Sequence, residues 1–377
     1  MGFSIVCVLS GAMFTVSPVQ AVTWNTETVD TVGNVGYCSL ALDVSGLPHI
    51  AYYHEGVGLK YAAYDGSSWS VQTVESGYKG TYASLALDAA GNPHISYVDA
   101  SGTYDNLRYA HYNGTSWSKQ TIDTGNNTGR YNDITLDSLG LPHISYFDDW
   151  YDDLKYASYN GTSWSTETVD NGAVGAYTSI ALDSSDNPHI SYAELYAAGG
   201  KLKYATNDGS SWSTEVVNSG YANNDTSIAL DSSDHPHISW GDSGGLTVLK
   251  YSVHNGSSWS TQTVDTGYVG SASSLALDGS DLPHISYLDA NNPGRLKYAM
   301  HDGSSWYKEI AVDEATSGNT SIALDASGLP HIAYHHNIGY TGSQLQYISA
   351  VPEPSTFALL SVGAVGFPAF IPRLRKR

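Results

Sequence analysis

The sequence predicts an all-β protein, a seven-bladed β-propeller of four-stranded antiparallel blades, on three observations. A Pro-His-Ile phrase occurs seven times, at His49, His94, His143, His189, His237, His284 and His331, at intervals of 45 to 49 residues. A period of that size marks units that cannot bury their own faces and stack on copies of themselves. Each period holds four short runs rich in β-branched and aromatic residues, which read as strands. Asp65-Gly66, Asn113-Gly114, Asn160-Gly161, Asp208-Gly209, Asn255-Gly256 and Asp302-Gly303 join the third run to the fourth. Such pairs are strong hairpin signals because both residues tolerate positive φ.

The first run is Ser-Leu-Ala-Leu-Asp, as at 39–43 and 84–88. Its apolar residues alternate with small ones, which suits a narrow inner strand where blades converge. The second is Pro-His-Ile followed by Ser or Ala and then Tyr or Trp, with Trp240 in the fifth copy. The third is Leu-Lys-Tyr, as at 59–61, with Arg108 and Gln346 as variants. The fourth begins at Trp69, Trp117, Trp164, Trp212, Trp259 and Trp306. A compact Asp-x-x-Gly/Asp-x-Pro turn joins the first two runs, so each unit is an antiparallel meander, the blade of a propeller.

Counting runs predicts the seam. The second run occurs seven times and a fourth run follows only six of them, because the last repeat stops at Tyr347. The missing copy stands at the front, where Trp24-Asn25-Thr26-Glu27-Thr28-Val29-Asp30 matches residues 164–170. The N-terminal strand is therefore expected to complete the last blade and leave no open sheet edge.

Strand direction sorts the loops. The tight first-to-second and third-to-fourth turns share one rim, and the variable loops share the other, where binding residues usually sit on a rigid scaffold. On that rim the second run ends in His54, Asp99, Asp148, Glu194, Asp242, Asp289 and His336. These are candidate acceptors for sugar hydroxyls or for calcium, which prefers carboxylates and carbonyls, against the alternative of solvated turn acids. Asp148, Asp149, Trp150, Tyr151, Asp152 and Asp153 form the densest set, with two aromatic stacking faces. The candidate ligand-binding residues are Asp99, Asp148, Asp149, Trp150, Tyr151, Glu194, Trp240, Asp242 and Asp289.

The recurrent histidines, each with an Asp shortly before it, point into seven separate spaces and cannot converge on one ion. They are expected to be structural, hydrogen-bonded to an Asp or a backbone carbonyl. The fourth-run tryptophans are expected to pack between blades. Catalysis needs an asymmetric set of groups, and there is no Gly-x-Ser-x-Gly, His-Glu-x-x-His or phosphate loop. Before the C-terminal segment the arginines are Arg108, Arg130 and Arg295. No catalytic residue is assigned, no cofactor beyond calcium is expected, and an enzyme is the less favoured reading.

A formal charge of −21 argues against nucleic acid, whose phosphates would be repelled. Residues 1–21 carry an apolar stretch from Phe3 to Val16 and a small-residue cleavage pattern at Val19-x-Ala21, the features of a secretory signal peptide. Its removal takes Cys7 and leaves Cys38 alone, so no internal disulfide is expected. At the other end, residues 351–377 hold Pro352-Glu353-Pro354, an apolar run 357–372 interrupted by Pro368 and Pro372, and a basic terminus from Arg373. The run is shorter than the roughly 20 residues of a stable spanning helix, and its basic end would stay cytoplasmic.

This segment resembles the PEP-CTERM sorting tail of Gram-negative bacteria. The resemblance implies recognition by an exosortase-type membrane protease, transient inner-membrane insertion through the tail, and delivery to the cell surface or extracellular matrix. A permanent C-terminal anchor is the alternative. The repeats of residues 22–350 resemble bacterial and archaeal surface propellers with Ser-Leu-Ala-Leu-Asp, Pro-His-Ile-Ser-Tyr and Leu-Lys-Tyr-Ala units, and more remotely sialidase-like and fungal fucose-lectin propellers. The sialidase box Ser-x-Asp-x-Gly-x-x-Trp is absent. The expected function is an exported binding module for carbohydrate, exopolysaccharide or a surface protein. The alternatives are a purely structural matrix protein and a glycoside hydrolase or sialidase-like enzyme.

Overall fold

The computed structural model describes residues 22–31, 33–194, 200–291, 294–314, 316–339 and 342–351. The signal-peptide segment 1–21 and the sorting residues Pro352, Glu353 and Pro354 lie outside them. Among the described residues twenty-eight strands form seven sheets, each of four antiparallel strands in sequence order except the last. There the N-terminal strand Thr23–Asp30 pairs with Ser343–Val351, followed by Pro330–Asn337 and Thr316–Leu324. The expected seam is present. Blade one begins at Val35 and blade seven is the composite.

The inner strands are Val35–Leu42, Lys79–Leu87, Thr128–Leu136, Val174–Leu182, Ala222–Leu230, Val269–Leu277 and Thr316–Leu324. Each packs on the next, and the last on the first, around a central channel. The serine of the first run holds this ring. Its hydroxyl accepts the backbone N–H of the residue just after the equivalent serine in the next blade, as from Leu85 to Ser39 at 3.0 Å, Ile228 to Ser179 at 3.3 Å and Leu40 to Ser321 at 3.0 Å. Such an inter-blade bond contributes about 1 kcal/mol and satisfies an amide that would otherwise be buried unpaired. In blade three Asp133 replaces the serine. It accepts from the Ile180 amide at 3.0 Å and from the Ser84 and Ser179 hydroxyls at 2.7 and 2.9 Å, tying three blades together.

The core lies between blades. Between the first two, Ala51, Leu59, Tyr61 and Val74 pack on Leu85, Ile95 and Tyr97, and Ile95 and Tyr97 are fully buried. Full burial of such a side chain is worth roughly 1.5–3 kcal/mol, and the arrangement recurs around the ring. The Tyr that ends the second run sends its hydroxyl to a carboxylate on the fourth strand of the preceding blade: Tyr52 to Asp30 at 2.6 Å, Tyr146 to Asp123 at 2.7 Å, Tyr192 to Asp170 at 2.6 Å. The Lys of Leu-Lys-Tyr reaches the same carboxylates, as Lys155 does with Asp123 at 2.7 Å. A buried phenol thus has its partner, and the partner has a counter-charge.

The histidines are held within their blades, but their hydrogen-bond partner is a Tyr hydroxyl and not the expected Asp or backbone carbonyl. Each His Nδ1 shares a hydrogen bond with the Tyr hydroxyl of Leu-Lys-Tyr, for example His94 with Tyr109 at 2.7 Å and His284 with Tyr298 at 2.5 Å. Its Nε2 faces the preceding Asp, at 3.6 Å for His143 and Asp137 and 3.5 Å for His237 and Asp231. That Asp in turn caps the tight turn. Asp88 accepts the amides of Ala90 and Asn92 at 2.9 and 2.8 Å. The tryptophans pack between blades, each edge-on to the Tyr of the blade before it, as Trp117 on Tyr61 and Trp212 on Tyr156. Cys38 is free and buried, and burial pushes its thiol up to about 12, leaving it protonated and inert. In the hairpin turns only the Gly takes positive φ, as Gly114 does at 88°, while Asn113 accepts the amides of Thr115 and Ser116.

Candidate functional site

A bulge interrupts every inner strand where it enters the channel from the variable rim. In blade three the register slips between Arg130 and Asp133, and in blade two between Thr81 and Ser84. A bulge leaves one residue unpaired and re-aims its side chain. The residue concerned is Tyr37, Tyr82, Tyr131 and Tyr177 in blades one to four, at φ of 48°, 56°, 52° and 55°. In blades five to seven the same column holds Asp225, Ala272 and Asn319. A bulky residue in the left-handed region is strained, at roughly 1–3 kcal/mol each, and such strain clusters at functional sites. Gly129, two positions before Tyr131, has φ of 100° and runs so close to the third strand of the preceding blade that a Cβ there would lie 2.8 Å from the Leu107 Cα.

The four tyrosines make a contiguous arc. Ring centroids are 4.2 Å apart for Tyr37 and Tyr82, 4.9 Å for Tyr82 and Tyr131, and 4.4 Å for Tyr131 and Tyr177. With Asp225, Asn319 and a floor of Ser and Thr side chains they line a channel cleft of 180 Å³. Asp225 lies near enough for its charge to act on both Tyr37 and Tyr177. Burial within the channel pushes the Asp225 carboxyl up to about 6. Burial also raises Asp133, against the pull of the Ile180 amide and the two serines, and raises the hydroxyls of Tyr37, Tyr82 and Tyr177, which stay protonated donors. The cleft therefore offers aromatic faces and phenolic donors on one side and the Asp225 carboxyl on the other, while the Asn319 amide accepts the Cys38 N–H at 2.9 Å and donates to its carbonyl at 2.8 Å, leaving its second N–H for a ligand.

The loop expected to be the best contact is tied to the arc through the residue beside Tyr131. Arg130, next to Tyr131, donates from Nε to Asp105 and from Nη1 to Asp149, both at 2.9 Å. Trp150 and Tyr151 are 52% and 66% exposed, and Tyr104 lies edge-on to Trp150 at 5.9 Å. Asp149, Trp150 and Tyr151 thus sit on the variable rim beside the arc. Asp148 itself is buried and caps the loop, accepting the amides of Trp150 and Tyr151 at 3.1 and 3.2 Å.

The rest of the expected acidic ring does not face outward as a set. Asp99 is buried, accepts the Ser101 amide at 3.0 Å and pairs with Arg108 at 3.3 Å. Asp242 accepts the Gly244 amide and pairs with Lys250, and Asp289 accepts the Asn291 amide and is buried. Glu194 is engaged by Lys201 at 2.9 Å. These acids close their own loops, one per blade, and among the described residues no three of them gather as calcium ligands would. Asp289 also borders a separate cleft of 410 Å³ with Leu288, Gly294 and Thr316.

Trp240 is a correction. It is fully buried, not on the rim, because it occupies the interior column of Tyr52 and Tyr97; its indole donates to Ser252 at 3.0 Å and Lys250 lies over its ring. The tyrosine arc and Asp225 were not among the expected residues. The signal was in the sequence, as a repeat column that is Tyr in four blades and changes in three.

The fold and this cleft define the class: a seven-bladed β-propeller with an asymmetric, tyrosine-lined central site. No protein-family model and no curated protein matches the chain. Solved structures share its fold at low identity. A polysaccharide lyase, an ulvan lyase, superposes with a TM-score of 0.55 at 13% identity over 85% of this chain and 95% of its own. AofleA from Arthrobotrys oligospora gives 0.51 at 10% identity over 77% and 89%. The SapL1 lectin, in complex with alpha methyl fucoside, gives 0.51 at 13% identity over 75% and 97%. At these identities the likeness is one of fold.

Proposed function

We propose that the protein binds carbohydrate at the variable-rim mouth of its central channel, with the tyrosine arc as the stacking surface. The observation that carries this reading is the broken symmetry: four successive blades project a strained Tyr into the channel, while Asp225 and Asn319 face them. Packing alone does not call for it, since Ala272 fills the same column in blade six. Phenol faces suit the C–H faces of a pyranose, and the hydroxyls, carboxyl and amide suit its alcohols. Trp150 and Tyr151 extend the surface outward for a second residue of a polymer. That lectins and a polysaccharide lyase use the same fold supports a sugar over other polar ligands.

A glycan array probed with the intact chain tests this. Saturable binding to a defined glycan is expected, weakened at least tenfold in Tyr82→Ala and in Tyr131→Ala. Absence of saturable binding to any glycan would overturn it and leave a protein partner or a purely structural matrix role.

A second reading is favoured by Asp225 alone. A carboxyl raised to about 6 beside phenols is suited to proton transfer at neutral pH, so the cleft could turn over the polysaccharide it binds. Product formation from the array's best glycan, lost in Asp225→Asn, would establish it; binding without turnover would dismiss it.

In the same proposal the chain is exported, with residues 1–21 removed and the tail 351–377 inserted transiently in the inner membrane. Pro352, Glu353 and Pro354 are then read by an exosortase-type protease, and the propeller reaches the cell surface or matrix. Mass spectrometry of protein recovered from the surface of a producing cell should give an N-terminus at Val22 and a mass lacking the 357–372 run. Recovery with the full tail would favour a permanent anchor.

A further inference from the structure

Blade two departs from the sevenfold histidine pattern in one way. Across the ring, the Pro-His-Ile histidine pairs cross-strand with Ala63, His111, Ser158, Thr206, Val253, Met300 and Ser349. A second histidine therefore stands beside His94, with ring centroids 4.2 Å apart. Asp88, which caps the tight turn, completes the group, and ligating atoms of Asp88, His94 and His111 all lie within 4.8 Å of one another.

We propose that these three residues bind one divalent late transition ion of the Zn²⁺ class. Two imidazoles and one carboxylate suit such an ion, whereas calcium and magnesium prefer oxygen throughout. The second observation is the state of His94. The side chain is 6% exposed, and its Nε2 is buried with no hydrogen-bond partner, facing Asp88 at 3.9 Å. The same nitrogen is unpaired in His237 and His284, whose cross-strand neighbours Val253 and Met300 supply no second donor.

The surroundings orient the ligands as metal sites require. The Nδ1 of His94 is bonded to the Tyr109 hydroxyl, which leaves Nε2 for the ion. Asp88 is held through one oxygen by the Ala90 and Asn92 amides, and its other oxygen accepts from Asn92 Nδ2 at 2.9 Å. Three protein ligands leave a fourth position for water. The site lies at the tight-turn end of the blade, on the rim opposite the tyrosine arc, so its role is to stiffen blade two.

The test uses the full chain without a polyhistidine tag, stripped by chelator and titrated with Zn²⁺ by calorimetry and with Co²⁺ by visible absorption. One equivalent of Zn²⁺ with submicromolar affinity, Co²⁺ d–d bands of tetrahedral intensity and a raised melting temperature are expected. His111→Ser copies blade three and should fold normally by circular dichroism while weakening binding at least 100-fold. Ser158→His supplies the same set with Asp137 and His143 and should raise the stoichiometry to two. No stoichiometric binding in the native chain, unchanged affinity in His111→Ser, or a stoichiometry that stays at one in Ser158→His would each overturn the three-ligand assignment.

Discussion

Trp24, on the first strand of the chain, lies edge-on to Tyr298 of the sixth blade, with ring centroids 5.4 Å apart, and its indole donates to Glu309 at 2.8 Å. The same ring contact joins each of the other pairs of neighbouring blades, ending with Trp69 on Tyr347 across the seam. The N-terminal strand is thus held by the device that joins all the others.

Trp24→Ala should destabilise by about 2–3 kcal/mol, below the cost of a fully buried Trp because this one is half-buried. Deleting residues 22–30 should do far more. It leaves the strand Ser343–Val351 as an open edge and removes Asp30, the partner of Tyr52 and Lys60. A much lower melting temperature and concentration-dependent aggregation are expected; a truncated chain that melts with the intact one would refute closure by this strand.

Asp133 offers a sharper test of the inner ring. Asp133→Ser restores the residue of the other six blades and keeps an acceptor for the Ile180 amide, so it should change stability by less than about 1 kcal/mol. Asp133→Ala leaves that amide and the Ser179 hydroxyl without their acceptor and should cost about 2 kcal/mol. Equal denaturation midpoints for the two variants would show that the carboxylate does not bridge the blades.

The fold was legible because the repeat states it many times. Seven Pro-His-Ile phrases against six following tryptophan runs fixed the blade count and the seam without any distance information. The site was only half legible. Asp149, Trp150 and Tyr151 stood out as candidates because their loop differs in length and charge from its counterparts, and the fold places them exposed or ion-paired beside the arc. The acids at strand ends misled, since a carboxylate that caps its own loop, as Asp99 does, reads in sequence like one that faces a ligand. Trp240 misled because a column that is Tyr elsewhere is interior, and nothing local says so. The tyrosine arc was hidden by backbone geometry. Strict alternation along the first run gives no warning of a bulge that swings Tyr82 and Tyr131 into the channel.

Acid should unfold the ring through its histidines. Burial lowers His49, His143, His189, His237, His284 and His331, and lowers His335 to about 4, all below the usual value near 6.5 of an unfolded chain. The unfolded chain then binds more protons, so stability is full above pH ~6.5 and falls as pH drops toward ~4. His335, almost fully buried, contributes on the order of 3 kcal/mol. Asp133 and Asp225, raised by burial, oppose the trend with the opposite sign. Melting temperatures of chelator-treated protein should be level above pH 7 and drop steadily below 6.5; a level curve down to pH 4.5 would contradict this.

Asp225 should carry a cost in stability for its place in the channel. Its carboxyl sits near 6 when folded and near 3.8 when not, so above pH 6 the folded state holds a charge that burial disfavours. Asp225→Asn keeps the shape and removes the charge. Because the group retains some water contact, the gain at pH 7.5 should be about 1–2 kcal/mol, a few degrees in melting temperature at most. The sign follows from linkage: the gain should shrink as pH falls through 6, where native Asp225 becomes protonated and neutral. Asn319 faces the same cleft and serves as the internal control, since Asn319→Ala removes a polar group without a charge and should show no such pH dependence. If Asp225 is kept for its ligand, the stabilised variant should also bind the array's best glycan more weakly. A variant with unaltered melting at pH 7.5 would mean the carboxylate is hydrated in the channel, and a stabilised variant with native affinity would detach it from recognition.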